Sequence, residues 1–126
     1  PGFEIAPMVM VNMADDLQEA LLPAKRALAF YVGGMGAQEH NFHKNLMARM
    51  GYEAAASRIQ ALFMAGQRDE AVMAVPDRFA DEITLSGPQA RIKDRFQAWR
   101  ASPATTLLLM GAGGPGMLRA MAEIAL

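Results

Sequence analysis

A glycine-rich segment from Gly111 to Gly116, GAGGPG, is the part of this sequence most suggestive of ligand chemistry. It follows an apolar stretch and precedes a helix-forming one, and it matches the spacing G-x-G-x-x-G, in which backbone N–H groups can approach a phosphate at a helix N-terminus. Only ten residues follow Gly116, which disfavours a dinucleotide fold, because that fold needs a further strand and an acidic residue. Two interpretations stay open: a loop lining a phosphate or cofactor pocket, or a tight turn.

The two histidines form a second candidate group. His40 and His43, with Glu39 beside the first, are three residues apart on a predicted helix and therefore share most of one face. The pattern Glu-His-Asn-Phe-His differs from the His-Glu-x-x-His of zinc proteases, and no third ligand is evident. We expect a polar helix face or the border of a substrate cleft rather than a metal site.

Composition excludes several classes of function. The 126 residues carry 12 basic and 13 acidic side chains, a net charge of −1, so we expect no nucleic-acid binding. The chain has no cysteine, which excludes disulfides, iron–sulfur clusters and a thiol nucleophile. No apolar run reaches the roughly 18 residues needed to cross a membrane, and no secretory leader is evident, so the expected location is the cytoplasm.

Apolar patterning predicts strands that alternate with helices, an α/β class with a parallel sheet. The predicted strands are 4–13, 81–86 and 104–110, and the first and third are apolar without alternation, as in strands covered on both faces. The predicted helices are 17–32, 37–50, 52–65, 68–75, 89–101 and one from the glycine loop to Leu126. We expect Gly33 and Gly34 to end the first of them, and Phe42, Leu46 and Met50 to share one face of the second.

A sheet of only three such strands leaves apolar surface and unpaired edges exposed. We therefore expect this chain either to self-associate or to belong to a larger sheet.

Three stretches resemble the C-terminal part of luciferase-like flavin or deazaflavin oxidoreductases, and most closely those dependent on coenzyme F-420. They begin with FEIAPMVMVNMADD at Phe3, YVGGMGAQEHNFHK at Tyr31 and DEITLSGPQARIKD at Asp81. The resemblance covers essentially the whole chain. It implies a (β/α)8 TIM barrel of which residues 1–126 are one partial domain, namely strands six to eight with their helices. Residues 37–75 are then a helical excursion between the first and second βα units.

The resemblance also implies a cofactor, coenzyme F-420 or FMN, held at the C-terminal mouth of the barrel. Barrel topology places seven residues at that mouth as candidates for cofactor binding: Asn12, Met13, Ser86, Gly87, Gly111, Gly113 and Gly114. His40, His43 and Lys44 are candidates for a substrate cleft. The catalytic residues are not identified and are expected in the N-terminal segments of such enzymes.

Two hypotheses follow. The first is that this chain is part of an enzyme that transfers hydride to or from a small organic substrate, or that oxygenates it, and is inactive alone; its partner is then the rest of the barrel. The second is an α/β interaction module without catalysis that buries its sheet edges against another copy of itself.

Overall fold

The computed structural model describes residues 2–126. The strands are β1 (Met8–Met13), β2 (Thr84–Gly87) and β3 (Leu108–Met110). The helices are α1 (Leu17–Gly34), α2 (Phe42–Met47), α3 (Glu53–Met64), α4 (Arg68–Met73), α5 (Asp77–Glu82), α6 (Gln89–Arg100) and α7 (Gly114–Ala125), with a π-helical turn, Ala48–Tyr52, between α2 and α3. Strands and helices alternate as predicted for an α/β chain, and the extra helices lie between the first two strands.

The strands form one parallel sheet in the order β2-β1-β3. Met10 is the register partner of Thr84 on one side and of Met110 on the other. Strands that are consecutive in a barrel are neighbours, so strands six to eight predict β1-β2-β3, with the outer strands pairing to others. That predicted order is not the observed one, since β3 instead pairs with the edge of β1 and makes β1 the central strand.

One face of the sheet carries the core of this part of the chain. Helices α6 and α7 pack there, and their apolar side chains join those of the strands. The cluster consists of Val9, Val11, Leu85, Ile92, Phe96, Met117, Met121 and Ile124. Because alternate residues of a strand point to opposite faces, Met8, Met10 and Asn12 lie on the other face.

The second face is only partly covered. Met8 is 61% exposed, Leu108 47% and Met110 43%. The prediction that the first and third strands are covered on both faces is therefore wrong for the described residues. On this second face Met10 is half-buried and Thr84 and Ser86 of β2 are buried, so the continuous apolar run of β1 reflects one buried face and one partly exposed face.

The chain divides into two compact units, with the boundary inside α1. The sheet unit comprises the residues up to Leu21 and Ile83–Leu126, and the helical unit comprises Leu22–Glu82. In the helical unit the best buried large side chains include Val32, Met47 and Ile59. Each unit thus has its own buried apolar residues.

The strands are shorter than predicted. Residues 4–7 and 104–107 lie outside regular strands, and there Ile5 is held by hydrogen bonds to Thr105 rather than by a ladder. Pro7 has no N–H to donate and immediately precedes β1. Helix α5 was not predicted from the sequence. Because it ends at Glu82, β2 begins only at Thr84.

The second helix differs most from its prediction. It begins at Phe42, because the side chain of Asn41 accepts a hydrogen bond from the Lys44 backbone N–H and caps it. Its buried residue is Met47, whereas Phe42, Leu46 and Met50, which were expected to share one face, are exposed. Gly51, in the π-helical turn that follows, has a φ of 98°, a left-handed conformation that favours glycine.

Gly33 and Gly34 do not stop α1 but form its last residues. A Cβ added to either would lie 2.5 Å from an atom of the Phe63 side chain. Close approach to that ring therefore explains both glycines, and Gly36, with a φ of 97°, provides the left-handed residue after the helix.

Candidate functional site

The carboxyl ends of β1 and β2 bring two of the predicted residues together. Asn12 and Ser86 are register partners, and the Asn12 Nδ2 atom donates a hydrogen bond to the Ser86 Oγ atom over 3.4 Å. Both follow apolar residues in their strands, and parallel pairing places both strand ends at the same edge. The ends of parallel strands are where α/β proteins hold their ligands, so this juxtaposition is the centre of the candidate site.

Two further residues, which sequence reasoning missed, fix Ser86. The Thr84 and Ser86 hydroxyl oxygens are 2.7 Å apart, and both side chains are buried. The Arg91 Nη1 atom donates to the Ser86 carbonyl oxygen over 2.8 Å. Arg91 is thus half-buried, and its guanidinium is engaged by the backbone of β2. The alternation of Thr84 and Ser86 within an apolar strand was the available signal.

Met13 and Gly87 are the next register pair, and they differ in role. The Met13 side chain packs against the core cluster on the helix-covered face and therefore points away from Asn12. Gly87 has a φ of 117°, a conformation that favours glycine, and its carbonyl oxygen accepts from the Ala14 N–H. It terminates the strand pairing and lets the chain turn into α6.

The glycine loop after β3 is shaped by close packing on its inner side. A Cβ on Gly111 would lie 2.6 Å from both the Val11 carbonyl oxygen and the Met117 Sδ atom. A Cβ on Gly113 would lie 2.6 Å from Met117 Cβ. These two glycines therefore let the loop lie close to the β1 backbone at Val11 and against Met117 of α7.

The outer side of the same loop is open. Helix α7 begins at Gly114, inside the glycine-rich segment, and this residue has a φ of 61°. Nothing lies within 4 Å of a Cβ built on Gly114 or Gly116. The N-terminus of this twelve-residue helix thus offers backbone N–H donors and the positive end of the helix dipole to an anionic group. Asn12 belongs to the same sheet unit, on β1, the strand that pairs with β3. Its amide is a neutral polar group that can also contact a ligand at the strand ends.

His40, His43 and Lys44 belong to the helical unit, whereas the strand-end residues belong to the sheet unit. His40 is exposed in the loop before α2, and His43 stacks on Tyr31 with ring centroids 4.8 Å apart. The Lys44 ammonium instead bonds to Gln60 of α3. The three side chains therefore have different surroundings, and their assignment to a substrate cleft stays a prediction.

Two features are absent from residues 2–126. No three histidine, aspartate or glutamate side chains in this range cluster in a way that could hold a metal ion. No helix in the same range combines the length and apolarity that a membrane span requires.

The chain thus belongs to the class of α/β proteins with a parallel sheet, and it has polar side chains and a glycine loop at its strand ends. Comparison with known proteins identifies the family within it. A family model described as luciferase-like monooxygenase matches residues 1–106. The chain is 34% identical over 122 residues to a Mycobacterium tuberculosis protein that carries the provisional name coenzyme F-420-dependent oxidoreductase. No solved structure gives a significant match.

The chain therefore belongs to the luciferase-like monooxygenase family, which confirms the resemblance found in its sequence. The match takes in 97% of this chain and 35% of the mycobacterial protein. This chain thus spans about a third of the length of the curated relative it matches.

Proposed function

We propose that this chain supplies part of the cofactor site of a flavin- or deazaflavin-dependent oxidoreductase. Family membership carries this proposal, together with the relative named for coenzyme F-420. Of the two coenzymes, we propose the deazaflavin. When bound, it supplies a ring carbon that accepts or donates hydride, so the protein's task is binding, orientation and exclusion of water.

The strand-end residues suit this task. The donors at the start of α7 would hold a phosphate of the coenzyme, because Gly114 and Gly116 leave that backbone accessible. The Asn12 amide can both donate and accept, so it suits the polar edge of a ring system. Thr84 and Arg91 fix Ser86 beside it. The chain's own contribution is therefore positioning, and the groups that react with the substrate are proposed to lie outside this chain.

Coenzyme titration tests this proposal. Coenzyme F-420 and FMN are added separately to this chain and to the protein encoded by the complete open reading frame, and absorbance and fluorescence are recorded. We expect the complete protein to bind coenzyme F-420 more tightly than FMN. Asn12→Ala should weaken binding about tenfold, the cost of one hydrogen bond to a polar ligand group, whereas Lys93→Ala on the exposed side of α6 should not. Equal binding by both variants would reject the assigned role of the strand ends.

We further propose that the sheet is part of a (β/α)8 barrel, and that its exposed face is the one that lines a barrel interior. The helices α6 and α7 cover the opposite face, as barrel helices do. The exposed methionines and Leu108 would then pack against the remaining strands. In this proposal β3 occupies the edge of β1 that belongs to another strand, because an unpaired apolar edge is costly to leave open.

Cysteine pairs can test the barrel proposal, since the chain has no cysteine of its own. Met8 and Leu108 are register partners across β1 and β3, and Met10 and Thr84 are partners across β1 and β2. The pair Met8→Cys with Leu108→Cys should crosslink in this chain but not in the complete protein. The control pair, Met10→Cys with Thr84→Cys, should crosslink in both. Equal crosslinking of the first pair in both proteins would refute the proposed barrel order.

The exposed apolar face also favours a second candidate, an interaction module that covers Met8, Leu108 and Met110 with another copy of itself. Sedimentation equilibrium of the chain at micromolar concentration separates the two. A dimer that dissociates on Leu108→Ser supports self-association through this face. A monomer that binds an environment-sensitive dye at this face supports the incomplete-barrel proposal.

A further inference from the structure

A second candidate ligand site lies wholly within the helical unit, apart from the strand ends. It is a cavity of about 250 Å³ between the segment that precedes α2 and the helices α2 and α3. Its lining residues are Gln38, Lys44, Ser57, Gln60, Ala61 and Met64. The lining therefore combines polar groups (a cation, amides and a hydroxyl) with the apolar side chains of Ala61 and Met64.

The polar lining residues are held in a defined arrangement. The Lys44 Nζ atom donates a hydrogen bond to the Gln60 Oε1 atom over 2.7 Å. Gln60 is only 5% exposed, and its Nε2 atom donates to the Gln38 carbonyl oxygen over 3.4 Å. The Lys44 backbone N–H is bound by Asn41, so the lysine is anchored at both ends. A long side chain that is already immobilised loses less entropy when a ligand binds.

The charge of Lys44 has no counterion in the residues that the structure describes. Ion pairs among the described residues include Lys25 with Asp77 and Arg78 with Glu82, and Lys44 has none. The hydrogen-bond acceptor on the Lys44 ammonium is a neutral amide, and an ammonium carries three donors. A half-buried ammonium paired only with a neutral group leaves part of its desolvation cost uncompensated. An anion in the cavity would compensate it.

We propose that this cavity binds a small anionic group, a phosphate or a carboxylate, on Lys44. The Ser57 hydroxyl lines the same cavity and would be a second donor. Ala61 and Met64 would contact a short apolar portion attached to the anion. The volume admits a compact group and little more. This inference does not depend on the proposed coenzyme role, because its residues and its probes are different.

The test is an amide chemical-shift titration of the 126-residue chain with sodium phosphate and, separately, sodium acetate, against sodium chloride at equal ionic strength. We expect saturable shifts at residues 38, 44, 57 and 60 with phosphate or acetate and not with chloride. Tighter binding of phosphate assigns a phosphoryl group, and tighter binding of acetate assigns a carboxylate.

Variants make the result specific to Lys44. Lys44→Met should weaken binding at least tenfold, and Gln60→Glu should abolish it, because a carboxylate then neutralises the ammonium. The matched control, Lys93→Met on α6, should bind as the unchanged chain does. The unfolding midpoint of each variant is measured, so that loss of binding is compared only among folded proteins. Linear shifts, equal shifts with chloride, or unchanged binding in folded Lys44→Met would overturn the proposal.

Discussion

Replacement of Gly111 by alanine separates the two explanations of the glycine loop, internal packing and ligand approach. The new Cβ would lie 2.6 Å from the Val11 carbonyl oxygen, and a backbone atom in the middle of β1 cannot move aside cheaply. Overpacking of this kind costs about 1–3 kcal/mol, from which about 0.4–1 kcal/mol is offset by the reduced freedom of the unfolded chain. We expect a net loss of about 1–2 kcal/mol, which lowers the urea midpoint by roughly 0.5–1 M.

Gly116→Ala is the matched control. It lies in the first turn of α7, and nothing is within 4 Å of its Cβ. Alanine there should raise the free energy of unfolding by up to about 1 kcal/mol, because glycine is a poor helix former. Both variants are measured by urea unfolding followed by circular dichroism. If Gly111→Ala were as stable as the unchanged chain, the packing explanation would be wrong, and ligand approach would remain the reason for that glycine.

Three other perturbations have defined outcomes. Asn41→Ala removes both the cap of α2 and a buried 2.7 Å hydrogen bond to the Val32 carbonyl oxygen of α1. It should lower the free energy of unfolding in urea by about 1–3 kcal/mol, whereas Asn41→Ser should recover the contribution of the cap alone. Asp77→Ala leaves the ammonium of Lys25, a residue only 6% exposed, without its carboxylate partner. The unfolding temperature should therefore fall further in Asp77→Ala than in Lys25→Met, which removes the buried charge itself. A larger fall in Lys25→Met would contradict this reasoning. Burial, and then a hydrogen bond to Glu82, raise the pKa of Tyr52 above its usual value. Because the folded state then holds the phenol proton to higher pH than the unfolded state does, the free energy of unfolding should fall as pH rises above about 10. Urea unfolding at pH 9–11 should show this fall in the unchanged chain and not in Tyr52→Phe.

Local features were predictable from the sequence because they depend on few neighbouring residues. The alternation of apolar strands with helices, the left-handed Gly51, and the turn at Gly87 and Pro88 into α6 all follow from local conformational preference. The strand-end position of Asn12 and Ser86 also followed, since the carboxyl ends of parallel strands share an edge. Family membership was also recognisable from the sequence, in the stretches that begin at Phe3, Tyr31 and Asp81.

Features that depend on distant contacts were decided only by the tertiary structure. The burial of Met47 instead of Phe42 and the packing of Gly33 on Phe63 depend on neighbours far along the chain. The pairing of β3 with β1 joins residues that are 100 positions apart, and patterning could not reveal it, because an apolar run shows that a strand is buried but not which edge it joins. Likewise, the sequence supplied Lys44 and Gln60, but only folding placed them 2.7 Å apart in one cavity.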